Sequence, residues 1–259
     1  MFIDTHSHLN SPALYAKKEE VIKEAKLNGV EIFIVPGYDL ETSKIALKLA
    51  EKYDFVYAAI GFHPTEIKGY GEDEYKWLEE HATSPNVVAI GEIGYDFHWD
   101  TTTKEEQDVA FRKQIAIAKK VNKPLIIHSR DAIQLTYDTL KEEQASVIGG
   151  VMHSYSGSLE MAPLFIKENF YLGIGGPVTF TNAKEIKKVV EKIDLNFLLS
   201  ETDSPYLTPH PYRGKENGPK YIPLIVEQIA SLKNMDLNNV KQILLVNAKK
   251  LFKLGEYYE

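Results

Sequence analysis

Cysteine is absent from this 259-residue chain, which excludes disulfides, thiolate-ligated zinc and cysteine nucleophiles. Glycine and proline are few, 16 and 12 residues, so the chain is neither collagen-like nor of low complexity. No apolar run reaches the roughly 18 residues that a membrane-spanning helix requires. The opening stretch MFIDTHSHLN has no basic leader and no apolar segment behind it, so no targeting segment is expected. An excess of positive charge is missing too. The 30 Lys and Arg stand against 37 Asp and Glu, a net charge of −7 with neutral histidine. The surface as a whole is therefore not the footprint of a protein that coats nucleic acid. A globular, cytoplasmic chain without membrane contact is the expectation.

What is present is an alternation of short apolar runs with longer amphipathic segments. Eight runs read as strands: FID near Phe2, EIFIVPG from Glu31, VYAAIG from Val56, VVAIGEIG from Val87, PLIIHS from Pro124, VIGGVMHS from Val147, FYLGIGG from Phe170 and FLLSETD from Phe197. They are rich in β-branched and aromatic residues and lack polar alternation, as strands buried on both faces of a parallel sheet do. Helical spacing recurs between them, at Ile45, Ala46, Leu49 and Ala50, at Phe111, Ile115 and Ala118, and at Ile186, Val189, Val190 and Ile193. Asn182 with Glu185 reads as a capped helix start, and Gly29 as a helix stop. Leu224 to Leu232 and Val240 to Leu251 supply closing helices. An open doubly wound sheet should carry a glycine-rich turn after its first strand, where this chain has DTHSHLN. The expected fold is a single-domain (β/α)8 TIM barrel spanning residues 1–259.

The unusual polar residues fall at strand ends. His6, His63, His128 and His153 each close a predicted strand, and His8 follows two residues on. In a barrel all those ends open on one face, where the connecting loops build the site. Glu92 lies inside VVAIGEIG, where a charge needs an ion-pair partner or a metal. Glu201 and Asp203 close the eighth strand, Asp203 being either a helix N-cap before Ser204-Pro205 or a site residue. Imidazoles and carboxylates without thiols suit zinc, iron, nickel or manganese, and suit them in an open site rather than a closed structural one. The six that converge from strands one, four, five, six and eight, namely His6, His8, Glu92, His128, His153 and Asp203, are too many for one tetrahedral ion and fit two. Paired ions would activate water for hydrolysis. His81 reads as a surface residue; His98 and His210 read as residues of open-face loops.

The motifs FIDTHSHLN, IGFHP, AIGEIGYD, PLIIHSRDA, MHSYSGS and ETDSPYLTPHPYRGKENGP resemble those of the TatD-like metal-dependent deoxyribonucleases, a branch of the amidohydrolase-type barrels. The resemblance runs from Phe2 to about Leu251 and includes the Gln107, Phe111 and Gln114 pattern. It implies that His6, His8, Glu92, His128, His153 and Asp203 ligate two divalent ions, of zinc, magnesium, manganese or a similar metal, with Glu92 bridging. It also implies that Asp203 orients or deprotonates the attacking water and that His63 stands near the scissile phosphate. Glu201 would be an outer carboxylate or a ligand of a third metal. Where the family often shows Cys-Phe, this chain has Ser154-Tyr155.

The implied activity is 3′–5′ exonuclease action on single-stranded or frayed DNA, and by extension RNA. The loop from Tyr206 to Lys220 holds Arg213, Lys215 and Lys220 beside Tyr206, Tyr212 and Tyr221, and Arg130 follows His128. Cations can hold phosphate while aromatic faces stack on unpaired bases. The same ligands would serve another hydrolase, such as a D-aminoacyl-tRNA deacylase or a cyclic amidase, because one fold hosts many chemistries. A binding module with purely structural metals is a third reading, though it would need only four ligands.

Overall fold

The computed structural model describes residues 1–255. Eight parallel strands follow one another in order around a barrel: β1 Phe2–Asp4, β2 Val30–Pro36, β3 Val56–Ile60, β4 Val87–Asp96, β5 Leu125–Arg130, β6 Gly150–Met152, β7 Phe170–Ile174 and β8 Leu198–Ser200. The helices are α1 Pro12–Tyr15, α2 Lys18–Leu27, α3 Leu40–Lys52, α4 Glu72–Ala82, α5 Lys104–Val121, α6 Ile133–Glu142, α7 Ala162–Lys167, α8 Lys184–Lys192, α9 Ile222–Lys233 and α10 Leu237–Phe252. The seam between β8 and β1 is held by Thr5 N–H donating to Ser200 O at 3.1 Å and by the Ser200 hydroxyl donating to Ile3 O at 3.2 Å. The (β/α)8 TIM barrel expected from the strand count is the observed fold.

Apart from strand ends such as Glu31 and Arg130, the strands are buried on both faces, against different layers. One set of side chains meets the helices. The other points inward, and each strand contributes to it: Ile3, Ile34, Ala59, Ala89, Ile126, Val151, Tyr171 and Leu199. Leu245, Ala248, Leu251, Phe252 and Leu254, from α10 and the residues after it, complete this inner cluster. Two apolar layers explain why the strands show no polar alternation.

Several boundaries differ from the sequence reading. Ala145–Val147 forms a 3-10 turn, so β6 starts only at Gly150, and another turn at Leu195–Phe197 delays β8. Asn182 does not cap α8: the N-cap is Ala183 without a side-chain bond, and Glu185 accepts instead from Leu159 N–H at 3.1 Å. Gly29 does end α2, at φ +78°.

Two features bring the site strands together. Helix α5 presents two buried amides seven residues apart, hence on one face. Gln107 accepts from Asp96 N–H (2.9 Å) and donates to Asp96 O (2.8 Å); Gln114 accepts from Phe62 N–H (2.8 Å) and donates to Phe62 O (3.0 Å). Gly94, at φ +144°, lets β5 approach β4: a Cβ there would stand 2.0 Å from the His128 carbonyl oxygen.

Candidate metal centre

The inward register carries over into chemistry. Two residues beyond Ile126, Val151 and Leu199 stand His128 on β5 and, just past the ends of β6 and β8, His153 and Glu201; four beyond Ala59 stands His63. A period of two keeps them on the inner face, at the end of the barrel opposite α10. His6 and His8 follow β1, and their backbone is stitched to β8. The buried Asp4 carboxylate accepts from His6 N–H (3.2 Å), Thr202 N–H (2.9 Å) and the Thr202 hydroxyl (2.6 Å), while Asp203 N–H donates to His6 O at 2.9 Å. Asp203 itself sits at φ +55°, a backbone strain typical of functional positions.

The donor atoms converge as two groups. In the first, His6 Nε2 and His8 Nε2 are 3.1 Å apart. Glu92 Oε2 lies 3.3 and 3.6 Å from them, and Asp203 Oδ1 lies 3.8 and 3.5 Å from them. Ligands bound at about 2.0–2.2 Å to one tetrahedral ion stand roughly 3.3–3.6 Å from each other. His6, His8 and Asp203 therefore stand within reach of a single divalent ion, with Glu92 Oε2 beside its two imidazoles. In the second group, Glu92 Oε1 faces His128 Nδ1 at 2.9 Å, His153 Nε2 at 3.6 Å and His63 Nε2 at 3.8 Å. Glu92 thus divides its two oxygens between the groups, the arrangement a bridging carboxylate needs.

The electrostatics match. Burial opposes ionisation of Glu92, but the neighbouring His153 and His6 and the bond from His128 outweigh it and hold the carboxyl well below its usual range. Asp203 is likewise lowered: burial acts against it, and His153 with His8 and His6 prevails. His6 is depressed, first by burial and then by His153. His153 goes the other way, up to about 10, because Glu201, Glu92 and Asp203 overcome its burial. A metal ion would take the place of such protons.

Two carboxylates stand behind the imidazoles. His128 Nε2 donates to Asp96 Oδ2 at 2.9 Å, leaving Nδ1 for Glu92 and the centre. Asp96 was not singled out from sequence; the available signal was an acid closing the uniformly buried run of β4. Glu201 Oε1 contacts His153 Nδ1 at 3.0 Å and accepts from Ser154 N–H at 2.5 Å. Gly173 leaves room for it, since a Cβ there would lie 2.3 Å from Glu201 Oε2. At Ser154-Tyr155, Ser154 takes a left-handed backbone at φ +43°, and Tyr155 is buried and donates to Ser158 O at 2.7 Å.

His63 lies closer in than expected. Its Nδ1 pairs with the Thr65 hydroxyl at 2.7 Å, and its ring centroid is 4.2 Å from that of His128. The outer residues are more dispersed. Arg130 is exposed at the end of β5, and Arg213 is exposed with its guanidinium 4.4 Å over the Phe180 ring. Tyr206 is 60% exposed, with its ring 6.4 Å from that of His8. The basic cluster expected between Tyr206 and Lys220 does not assemble as one unit. Lys220 donates to Glu24 of α2 at 2.8 Å on the flank of the barrel, and Lys215 leans over Tyr212 at 5.4 Å. His81 is exposed on α4 and stacks on Trp77, while His98 and His210 are in loops outside the cluster. Among the described residues no helix is long and apolar enough to cross a membrane.

Comparison with known proteins agrees with this geometry. The family model described as TatD related DNase matches residues 3–253. The chain is 49% identical over 255 residues to the uncharacterized metal-dependent hydrolase YabD of Bacillus subtilis, covering 98% of this chain and 100% of that one. It is 33% identical to the uncharacterized metal-dependent hydrolase YcfH of Escherichia coli, over 96% and 95% of the two chains. The crystal structure of YJJV, a TatD homolog from Escherichia coli, superposes with a TM-score of 0.92 at 32% identity, over 98% of each chain. A mutant organophosphorus hydrolase from Deinococcus radiodurans, at 13% identity and a TM-score of 0.66, shares the fold. The chain is a metal-dependent hydrolase of the TatD-related DNase family.

Proposed function

We propose that the protein is a 3′–5′ exodeoxyribonuclease that cleaves phosphodiesters at single-stranded or frayed DNA ends, using two divalent ions. The observation that carries this reading is the split of Glu92 between two converging donor groups. His6, His8 and Asp203 would hold one ion with Glu92, and His128 and His153 the other. Zinc and manganese match this set of nitrogen and carboxylate donors, whereas magnesium would draw mainly on the carboxylates and on water. When bound, the pair would supply an acidified water and offset charge on the phosphate oxygens.

The remaining work falls to the chain. Asp203, held ionised by the neighbouring imidazoles, is placed to accept the proton of the attacking water. Asp96 and Glu201 fix the rings of His128 and His153. His63, neutral and 13% exposed in its side chain, faces the centre through Nε2 and can donate to a phosphate oxygen. Arg213, Arg130 and Tyr206 border the mouth as phosphate and base contacts. A chain carrying −7 engages a few terminal nucleotides rather than a long tract, because the outer surface does not attract polyanion.

The test is release of 5′-mononucleotides from a 3′-labelled oligonucleotide with magnesium or manganese, and its loss with a chelator and in Asp203→Ala. Retained cleavage in Asp203→Ala would overturn the reading. A D-aminoacyl-tRNA offered at equal enzyme separates a deacylase from a nuclease. Metal analysis of the same sample counts the ions per chain.

A further inference from the structure

Two tyrosines flank one imidazole at the mouth of the site. The Tyr38 ring centroid is 5.6 Å from that of His8 at an interplanar angle of 72°, and the Tyr206 ring is 6.4 Å away at 69°. Tyr38 stands four residues beyond Ile34, in the inward register of β2. Its backbone is anchored on both sides: its N–H donates to the Thr42 hydroxyl at 3.0 Å, and its carbonyl accepts from His63 N–H at 2.8 Å. Tyr206 is equally tied, its N–H donating to Asp203 O at 2.9 Å and its carbonyl accepting from the Asn217 amide at 2.5 Å. Both rings therefore ride on segments that also place site residues.

Core packing does not account for them. Neither ring belongs to the apolar clusters, and neither hydroxyl has a hydrogen-bond partner among the described residues. An aromatic ring left open beside a polar, ligand-rich centre offers a π-face to something planar. Base–aromatic stacking contributes about 1–3 kcal/mol per base and accepts any base.

We propose that Tyr38 and Tyr206 form an aromatic clamp for the unpaired base of the strand-terminal nucleotide whose phosphodiester lies at the metal centre. This rests on the exonuclease reading and deepens it, because it names what selects the end of the strand. Both rings adjoin His8, so the base is gripped within a single nucleoside's reach of the metal-side phosphate. A base paired in a duplex is stacked on its neighbours and cannot enter, which restricts the clamp to frayed or single-stranded ends.

The experiment has two readouts on the magnesium-loaded protein. Stacking is read from the fluorescence of a 3′-terminal 2-aminopurine in an oligonucleotide whose last linkage is a non-hydrolysable methylene phosphonate. Cleavage of the ordinary oligonucleotide gives KM and kcat. Quenching is expected with wild type, Tyr38→Phe and Tyr206→Phe, and its loss with Tyr38→Ala and Tyr206→Ala. The alanine variants should also raise KM about fivefold or more each, with a smaller change in kcat, while the phenylalanine variants restore KM. Alanine variants that quench and bind like wild type overturn the clamp and leave the exonuclease reading standing. Quenching by wild type without cleavage of any oligonucleotide keeps the clamp and overturns the exonuclease. Neither quenching nor cleavage overturns both.

Discussion

At the scale of single residues, the site depends on groups that never face the centre. Asp96 fixes which nitrogen of His128 points inward by accepting from the other one. It is held ionised, at about 2, because the bond and charge of His128 outweigh its burial. Removing such a backing carboxylate typically lowers metal affinity about 10- to 100-fold. Asp96→Ala should show that loss in competition with a chromophoric chelator, and unchanged affinity would show that His128 needs no orienting partner. His63 offers a pH test. Burial, and then His128, hold it at about 3, below its ordinary 6.5. The unfolded chain therefore takes up this proton first. The stability linked to His63 is complete above pH 6.5 and declines as the pH falls toward 3. In urea titrations of the metal-free protein, His63→Asn should lose less stability than wild type between pH 6.5 and 4.5. Parallel curves would contradict this account.

At the scale of elements, α5 aligns two strand ends through a pair of amides. Gln114 satisfies both the N–H and the carbonyl of Phe62, next to His63. Gln114→Leu leaves those buried groups without partners, at roughly 1–3 kcal/mol for each unsatisfied group. A fall of about 2–6 kcal/mol in unfolding free energy is expected, with weaker cleavage because His63 shifts. A variant as stable as wild type would show that the loop after β3 holds itself. The Gln107, Phe111 and Gln114 pattern belonged to the family resemblance, but its purpose was not legible, since nothing in a helix sequence names the backbone atoms it will bond.

For the whole molecule, the barrel separates stability from chemistry by its two ends. Phe252 of α10 is 2% exposed and belongs to the inner apolar cluster. Truncating a buried phenylalanine typically costs about 3–5 kcal/mol. Phe252→Ala should therefore lower the denaturant midpoint while the folded protein keeps its full metal content. Loss of metal in the folded variant would mean that the two ends are coupled. Charge acts at the same scale. Raising the salt concentration should weaken oligonucleotide binding with a log–log slope of about −0.7 for each phosphate contacted. A slope beyond that of a few contacts would indicate tract binding and contradict the terminal mode.

Sequence by itself determined the barrel, because strands buried on both faces must be apolar throughout and their alternation with helical periods is local. It also marked His6, His8, His128, His153, Glu92 and Asp203, since polar groups at the ends of apolar runs are costly unless used. Tertiary structure alone decided how Glu92 divides its oxygens, that Asp96 and Glu201 stand behind the imidazoles, that Lys220 turns away to Glu24, and that Tyr38 and Tyr206 both come beside His8. Each of these joins residues from different strands or helices, and no spacing along one chain segment encodes a distance between two.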